Sequence, residues 1–71
     1  MTIEYRSYGR RFVVFHHTGE THLAAHCDEA PRACVLLNKA RDLNDRQRKY
    51  TAAARKIAEA ETLAGFEWVT P

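Results

Sequence analysis

The feature that most constrains the fold is a change in the spacing of apolar residues at Cys27. From Glu20 to Cys27 the side chains alternate between two sets, which is the period of a β-strand with one face towards a core. From Asp28 to Ala64 apolar residues recur at intervals of three and four, which is the period of an α-helix. The change predicts an N-terminal sheet followed by a C-terminal helical part.

The N-terminal part predicts an antiparallel β-hairpin or a three-stranded sheet over residues 2–27. The segment "TIEYRSYGRRFVVFHH" is rich in β-branched and aromatic residues, which favour extended chain, and it bends at Tyr8-Gly9. Thr18-Gly19 then separates this segment from the alternating strand, as the turn of a hairpin does. One face of the sheet is therefore expected to lie against a core.

Two registers of this hairpin remain open. A two-residue turn places Phe12 and Val14 towards the core. A three-residue loop with Gly19 as a bulge places Val13 and Phe15 there, because a shift of one residue exchanges the two faces of a strand. The four strand residues are all apolar, so their composition does not choose between the registers.

The C-terminal part predicts mainly helix. Asp28 is expected to cap the N-terminus of a helix over residues 29–64, and Gly65 is expected to end it. We favour one long helix, straight or kinked; the alternative is a helical hairpin that breaks at "DLND", residues 42–45. After Gly65, the segment "FEWVT" at residues 66–70 alternates like a short strand.

These elements predict a single small α+β domain over residues 1–71, with the sheet packed on the helix. At 71 residues the chain is near the lower size at which one core offsets the loss of chain entropy, so a deep catalytic cleft is not expected. No glycine-rich phosphate loop, paired-carboxylate signature or nucleophile elbow occurs in the sequence. We therefore expect no enzyme, no catalytic residues, no cofactor and no small-molecule substrate.

The cysteines and the apolar runs predict a cytoplasmic protein. Cys27 and Cys34 are too few for a disulfide framework and are not spaced as a paired zinc motif, so we expect two reduced, packed thiols. The longest apolar run, from Phe12 to Phe15, is far too short to span a membrane, and the N-terminus lacks the pattern of a secretion signal. We expect an intracellular protein that does not act at a membrane.

The four histidines all lie between residues 16 and 26, which raises the question of a metal site. His22 and His26 are four residues apart on one strand, so about 13 Å separates them and they cannot bind one ion. Across the hairpin, His22 approaches either His17 or His16, depending on the register, which gives two ligands where zinc needs three or four. We therefore expect no metal site.

The N-terminal segment resembles a known DNA-binding architecture. The segment "YGRRFVVFHHTGETHLAAHCDEAPRA" runs from a strand through a Thr-Gly turn to a second strand and a helix start, and it has an aromatic-rich strand after "YGRR" and a basic sheet face. Over residues 3–43 this order resembles the three-stranded-sheet-plus-helix domain with which phage integrases bind arm-type DNA sites, an architecture shared by plant AP2 domains. The resemblance implies a sheet that enters the major groove, with Arg6, Arg10, Arg11 and His22 facing the DNA.

A second basic feature lies in the helical part. The segment "RQRKYTAAARK", residues 46–56, has five basic side chains and no acidic one. On a continuous helix Arg41 and four of these cations lie on one side, opposite the apolar stripe; the four are Arg48, Lys49, Arg55 and Lys56. Together with the sheet face they define DNA binding as the alternative function, through phosphate and base contacts. The candidate residues on the helix are Arg48, Lys49, Arg55 and Lys56.

The function that we favour from the sequence is binding to another protein or to a second copy of this chain. The apolar seam of the predicted helix is rich in alanine and interrupted by Gln47 and Glu61, so it is under-packed unless a partner covers it. Exposed aromatic residues beside arginines are typical of interface hot spots. A short chain without a catalytic site is also typical of phage or mobile-element accessory proteins that attach to and inhibit a host complex. The candidate partner-binding residues are Leu43, Tyr50, Ile57 and Trp68.

Overall fold

A sheet of antiparallel strands carries a helical hairpin on one face. The computed structural model describes residues 3–16 and 22–69. Within them the elements in chain order are β1 (Ile3–Tyr8), β2 (Arg11–His16), β3 (His22–His26), α1 (Ala30–Asp45), α2 (Tyr50–Glu61) and β4 (Glu67–Val69). The strands lie in the order β1-β2-β3-β4, so the chain builds a three-stranded meander, passes through two helices and adds its last strand beside β3. The predicted α+β class with a short C-terminal strand is confirmed.

Strands β2 and β3 pair in the register that a two-residue turn requires. Phe12 lies opposite Ala25, and Arg11 lies opposite His26. Phe12 and Ala25 are fully buried, whereas Arg11 and His26 are exposed. Of the two registers left open by the sequence, the chain takes the one with Phe12 inward. The turn itself falls at residues 17–21, outside the described residues.

Strands β1 and β2 are joined by a two-residue turn at Gly9 and Arg10. Tyr8 lies opposite Arg11 at the end of the ladder. Gly9 has a φ of 60° at the first turn position, where hairpin turns of type II′ favour glycine because residues with a side chain rarely adopt a positive φ. The bend predicted at Tyr8-Gly9 is confirmed as a hairpin turn.

The helix predicted over residues 29–64 is not continuous, because the chain turns between α1 and α2. The chain adopts the helical-hairpin alternative, and its break lies at residues 46–49 rather than at residues 42–45. Within this connection Arg48 has a φ of 54°, in the left-handed region that helices of L-residues do not use. Lys49, with a φ of −96° and a ψ of 74°, also lies outside the helical region, so Arg48 and Lys49 together redirect the chain.

Packing between the helices explains the break. α2 packs against α1, and its residues Ala53 and Ala60 are buried. On one straight helix the second half of the alanine-rich stripe would extend into solvent, whereas folding back buries it. α1 ends at Asp45, a weak helix former. The N–H of Lys49 donates to the carbonyl oxygen of Leu43 at 2.8 Å, so the turn also satisfies a carbonyl near the helix end.

The start of α1 also differs from the prediction. Glu29, not Asp28, occupies the N-cap position, and its side chain makes no capping hydrogen bond. The carboxylate of Asp28 accepts a hydrogen bond from the guanidinium of Arg10 instead. The backbone N–H of Asp28 donates to the carbonyl oxygen of Ala64 at 3.0 Å. These two bonds hold Asp28 at a junction outside the helix, so it does not cap α1.

α2 ends at Glu61, before the predicted end at Ala64. The hydroxyl of Thr62 donates to the carbonyl oxygen of Glu59 at 2.7 Å, which satisfies an acceptor of the last turn. Gly65 has a φ of 71° and lies in the turn that leads into β4. Gly65 therefore shapes that turn rather than the helix end.

The core lies between the sheet and the helices. Phe12 is a large, fully buried side chain, and its ring lies 5.7 Å from that of Phe66 and 6.4 Å from that of Trp68, measured between centroids. α1 packs on β1 and β2 from this side of the sheet. Most other buried members are small, which allows the helices close approach. The buried cluster consists of Phe12, Ala25, Cys27, Ala30, Ala33, Leu36, Leu37 and Ala60.

Candidate functional site

A concave surface, the interhelical groove, lies between the C-terminal half of α1 and the N-terminal half of α2. Its volume is about 280 Å³, just below the roughly 300 to 1,000 Å³ of sites for drug-sized ligands. A groove of this size fits side chains of another chain better than a whole cofactor. Its lining residues are Ala40, Arg41, Asn44, Asp45, Tyr50, Ala53, Ala54 and Ile57.

Two large apolar side chains are exposed in the interhelical groove. Tyr50 is 61% exposed and Ile57 is 37% exposed. They are seven residues apart, which is about two helical turns, so they lie on the same face of α2. Ala54 lies between them and also lines the groove. Val35 on α1 is 66% exposed but is not part of the groove lining, so it is a natural comparison residue.

The helix connection that follows Asp45 of the groove wall is positively charged, although none of its residues lines the groove. The connection at residues 46–49 carries three cationic side chains. Arg46 forms an ion pair with Asp42 at 3.6 Å. Arg48 and Lys49 are exposed and form no ion pair with any residue in the described ranges. The connection therefore attracts negative charge to the region beside the groove.

The α1 side of the groove is polar. Arg41, Asn44 and Asp45 line it, and Asn44 donates from Nδ2 to Oδ1 of Asp45 at 2.8 Å. The wall therefore combines hydrogen-bond donors with a carboxylate acceptor. The site residues predicted from the sequence do not include Asn44 and Asp45, because these two come to face α2 only when the chain folds back. In the sequence, the turn-like segment "DLND" was the signal that the chain could fold back here.

The four predicted partner-binding residues do not form one surface. Tyr50 and Ile57 lie in the interhelical groove, together with the predicted seam residue Ala54. Leu43 is partly buried and is not a lining residue. Trp68 packs on the core, and its indole Nε1–H donates to a carboxylate of α2 at 2.8 Å, so its ring is engaged within the fold. Of the four predicted residues, the structure therefore places only Tyr50 and Ile57 in the groove.

The predicted DNA-binding residues of the sheet separate into two groups. Arg6, Arg11 and His22 occupy positions on the same face of the sheet according to the strand registers. Arg10 lies in the β1–β2 turn, where its guanidinium contacts the carboxylate of Asp28. Arg10 therefore lies in an exposed ion pair at the turn rather than on the sheet face.

The predicted DNA-binding residues of the helical part lie on two different elements. Arg48 and Lys49 belong to the connection, whereas Arg55 and Lys56 belong to α2. Lys56 pairs with Glu59 at 3.4 Å. The single basic stripe expected on a continuous helix does not form, because the chain turns between the two pairs of cations.

No group of three or more histidine, cysteine or carboxylate side chains able to hold a metal ion occurs within residues 3–16 and 22–69. His26 lies opposite Arg11, whose positive charge is a poor neighbour for a cation. His17, the expected neighbour of His22 in one register, lies outside the described residues. The absence of a metal site therefore stays a prediction.

Both thiols are free, as expected from the sequence. Cys27 is buried and donates from Sγ to the carbonyl oxygen of Ala64 at 3.5 Å. Burial raises the pKa of the Cys34 thiol, and a hydrogen bond from Asn38 to its Sγ opposes that shift. A thiol with a raised pKa carries less thiolate at neutral pH, so Cys34 lacks the activation of a nucleophile.

No protein-family model matches this chain, and comparisons with curated proteins and with solved structures found no match. None of the helices in the described part of the chain is long and apolar enough to cross a membrane. The described part of the chain therefore stands as an antiparallel sheet with a helical hairpin on one face and a groove, lined by apolar and polar residues, between the helices.

Proposed function

We propose that this protein acts without catalysis, by binding another protein through the interhelical groove. The observation that carries the proposal is that Tyr50 and Ile57, both large and exposed, line one groove beside a positively charged helix connection. The partner contributes an apolar side chain to the groove and acidic side chains beside it. Attachment of this kind acts by covering a surface of the partner, as a steric inhibitor of a larger complex does.

The apolar side chains supply part of the affinity. Complete burial of a side chain of this kind contributes about 1.5 to 3 kcal/mol, and tyrosine is enriched among the residues that dominate binding energy. Tyr50 and Ile57 are already held on a helix, so their backbone loses little freedom when a partner covers them. Because Tyr50 is 61% and Ile57 is 37% exposed, each gains only part of this amount, and the charged and polar groups beside the groove must contribute the rest of the affinity.

The charges favour a polypeptide with acidic residues over a nucleic acid. Arg48 and Lys49 attract carboxylates and raise the rate of association. Asp45 in the groove wall accepts hydrogen bonds from peptide N–H groups, which a polypeptide supplies and a phosphate backbone lacks. The partner segment that fits these features has an apolar side chain flanked by aspartate or glutamate.

Ile57→Asp is expected to weaken partner binding at least about tenfold, because it removes apolar contact and leaves a carboxylate in the interface. The measurement is affinity capture from a lysate of the native host, followed by titration with the purified partner. Val35→Asp is the matched control, since it places the same charge at an exposed apolar position outside the groove. Thermal unfolding of both variants checks that the fold is retained.

The proposal is contradicted if Ile57→Asp captures the same partner with unchanged affinity. It is contradicted equally if Val35→Asp abolishes binding while Ile57→Asp does not. In either case the partner contacts a surface other than the groove.

DNA binding through the sheet is the second candidate, and the strand registers favour it. Arg6 and Arg11 occupy positions on one face, as the resemblance to the integrase arm-binding domain implies. In a gel shift with duplex DNA, Arg11→Ala should reduce affinity and lower the slope against salt by about one, as loss of one phosphate contact does. Arg10→Ala should leave that slope unchanged, since Arg10 contacts Asp28. Affinity that does not depend on salt rejects this candidate.

A further inference from the structure

One face of the sheet remains open in a single copy of the chain. α1 packs on β1 and β2 from the side of Phe12 and Ala25, which are fully buried. Alternation along each strand places Arg11, His26 and Glu67 on the opposite side, and all three are exposed. Within the described residues this outer face is therefore accessible to a partner.

A row of charged and titratable residues crosses the outer face. Arg11 on β2 lies opposite His26 on β3, and His26 lies opposite Glu67 on β4. Adjacent strands lie about 4.8 Å apart, so Arg11 and Glu67 stand at equal distances on either side of His26. Over β2, β3 and β4 the row therefore carries opposite charges on the two sides of His26, and it continues to Tyr8 on β1.

The next row along the strands is apolar on β2, β3 and β4 and continues to Arg6 on β1. Val13 on β2, Ala24 on β3 and Val69 on β4 are paired in register. Ala24 and Val69 are partly exposed. Apolar residues on a face turned towards solvent gain free energy when another surface covers them. The smallest residue of this row, Ala24, lies on β3, between Val13 and Val69.

We propose that the outer face binds the outer face of a second copy, around a two-fold axis parallel to β3. This axis places β2 of each copy over β4 of the other. Arg11 of each copy then faces Glu67 of the other, and the two Ala24 residues meet at the axis, where their small size permits close approach. In a two-fold interface, a contact of one residue with a second residue of the other copy is always matched by the reverse contact. Arg11 and Glu67 satisfy this condition, because each copy contributes both charges. Sheets packed face to face keep their strands within about 30°, as this arrangement does.

The size of the face predicts a weak dimer. With this axis β2, β3 and β4 of the two copies overlap, whereas β1 lies outside the overlap; three strands about 4.8 Å apart and about five residues long present roughly 240 Å² in projection. A standard stable interface buries about 800 Å² on each partner. We therefore expect dimers at high protein concentration and monomers in dilute solution.

Sedimentation equilibrium of the intact chain over a wide concentration range tests the proposal. Arg11→Glu and Glu67→Arg should each raise the dimer dissociation constant about tenfold, because each replaces two ion pairs with two like-charge pairs. The double variant Arg11→Glu/Glu67→Arg restores both ion pairs in the opposite sense, so its constant should return to within about threefold of the original. Arg55→Glu makes the same charge change on α2 and should leave the constant unchanged.

A monomer at every concentration overturns the proposal. Unchanged constants in the single variants, or no recovery in the double variant, overturn it as well. Ile57→Asp should not affect dimerisation, which separates this proposal from the one for the interhelical groove. If Glu67→Arg tightens retention of a duplex oligonucleotide and no dimer forms, the outer face binds DNA and self-association is rejected.

Discussion

Phe12→Ala is expected to lower the free energy of unfolding by about 3 to 5 kcal/mol. Phe12 has no exposed surface and packs its ring against Phe66 and Trp68, so truncation leaves a cavity where the sheet meets the C-terminal strand. A chain of 71 residues has a total stability of about 4 to 10 kcal/mol, so this loss removes a large part of it. Urea unfolding followed by the fluorescence of Trp68, the sole tryptophan, measures the change.

Phe12→Leu is the matched control. It keeps most of the apolar volume and should cost less than about 1.5 kcal/mol. If Phe12→Ala costs no more than Phe12→Leu, Phe12 does not occupy the centre of the core, and the register assigned to β2 and β3 is then incorrect.

Gly65→Ala is expected to destabilise the protein by about 2 to 3 kcal/mol, for two reasons. Gly65 has a φ of 71°, and a residue with a Cβ pays about 1 to 2 kcal/mol in that region. An added Cβ would lie 2.7 Å from Oδ2 and 2.8 Å from Cγ of Asp28, so the carboxylate must leave its place beside Arg10. For a chain of this length we expect the melting temperature to fall by roughly 10 to 20 °C in calorimetry.

Gly9→Ala separates the two causes. Gly9 has a similar φ of 60°, but a Cβ added there would meet no heavy atom within 4 Å, so only the backbone cost of about 1 to 2 kcal/mol applies. In an Asp28→Ala background the cost of Gly65→Ala should fall to that of Gly9→Ala. If Gly9→Ala and Gly65→Ala lower the free energy of unfolding equally in the native background, Asp28 does not crowd Gly65.

The sheet was predictable because its signal is local. The alternation that ends at Cys27 identifies which residues of β3 face the core, and Ala25 and Cys27 are indeed buried. The register of β2 was not predictable, since Phe12 and its three apolar neighbours suit either face. Pairing with β3 and packing on the helices decide between them, and both are contacts between distant parts of the chain.

The segment "DLND" indicated a helical hairpin as an alternative, but the position of the break and the loss of the cap were not predictable, for the same physical reason. No glycine or proline lies between α1 and α2, and the left-handed residue is Arg48, a residue type that rarely signals a turn. Asp28 has the local signature of an N-cap, but its carboxylate contacts Arg10, which is 18 residues away. Tertiary contacts override local preference at both positions.

The candidate site was predictable in part. Tyr50 and Ile57 follow from helical spacing, because both lie on α2 and the period holds within one helix. Leu43 was grouped with them by the same spacing, which fails across the break. The polar wall formed by Asn44 and Asp45 exists only in the hairpin, so helical periodicity alone does not reveal it.

The central claim is that the interhelical groove holds an acidic polypeptide segment with an apolar anchor. A photo-crosslinking amino acid at position 54, between Tyr50 and Ile57, should form a covalent product with one protein, at a segment of that composition, and Ile57→Asp should abolish the product. The same crosslinker at position 35 should not form it. Equal products from both positions, or crosslinks from position 54 to nucleic acid, would contradict the account.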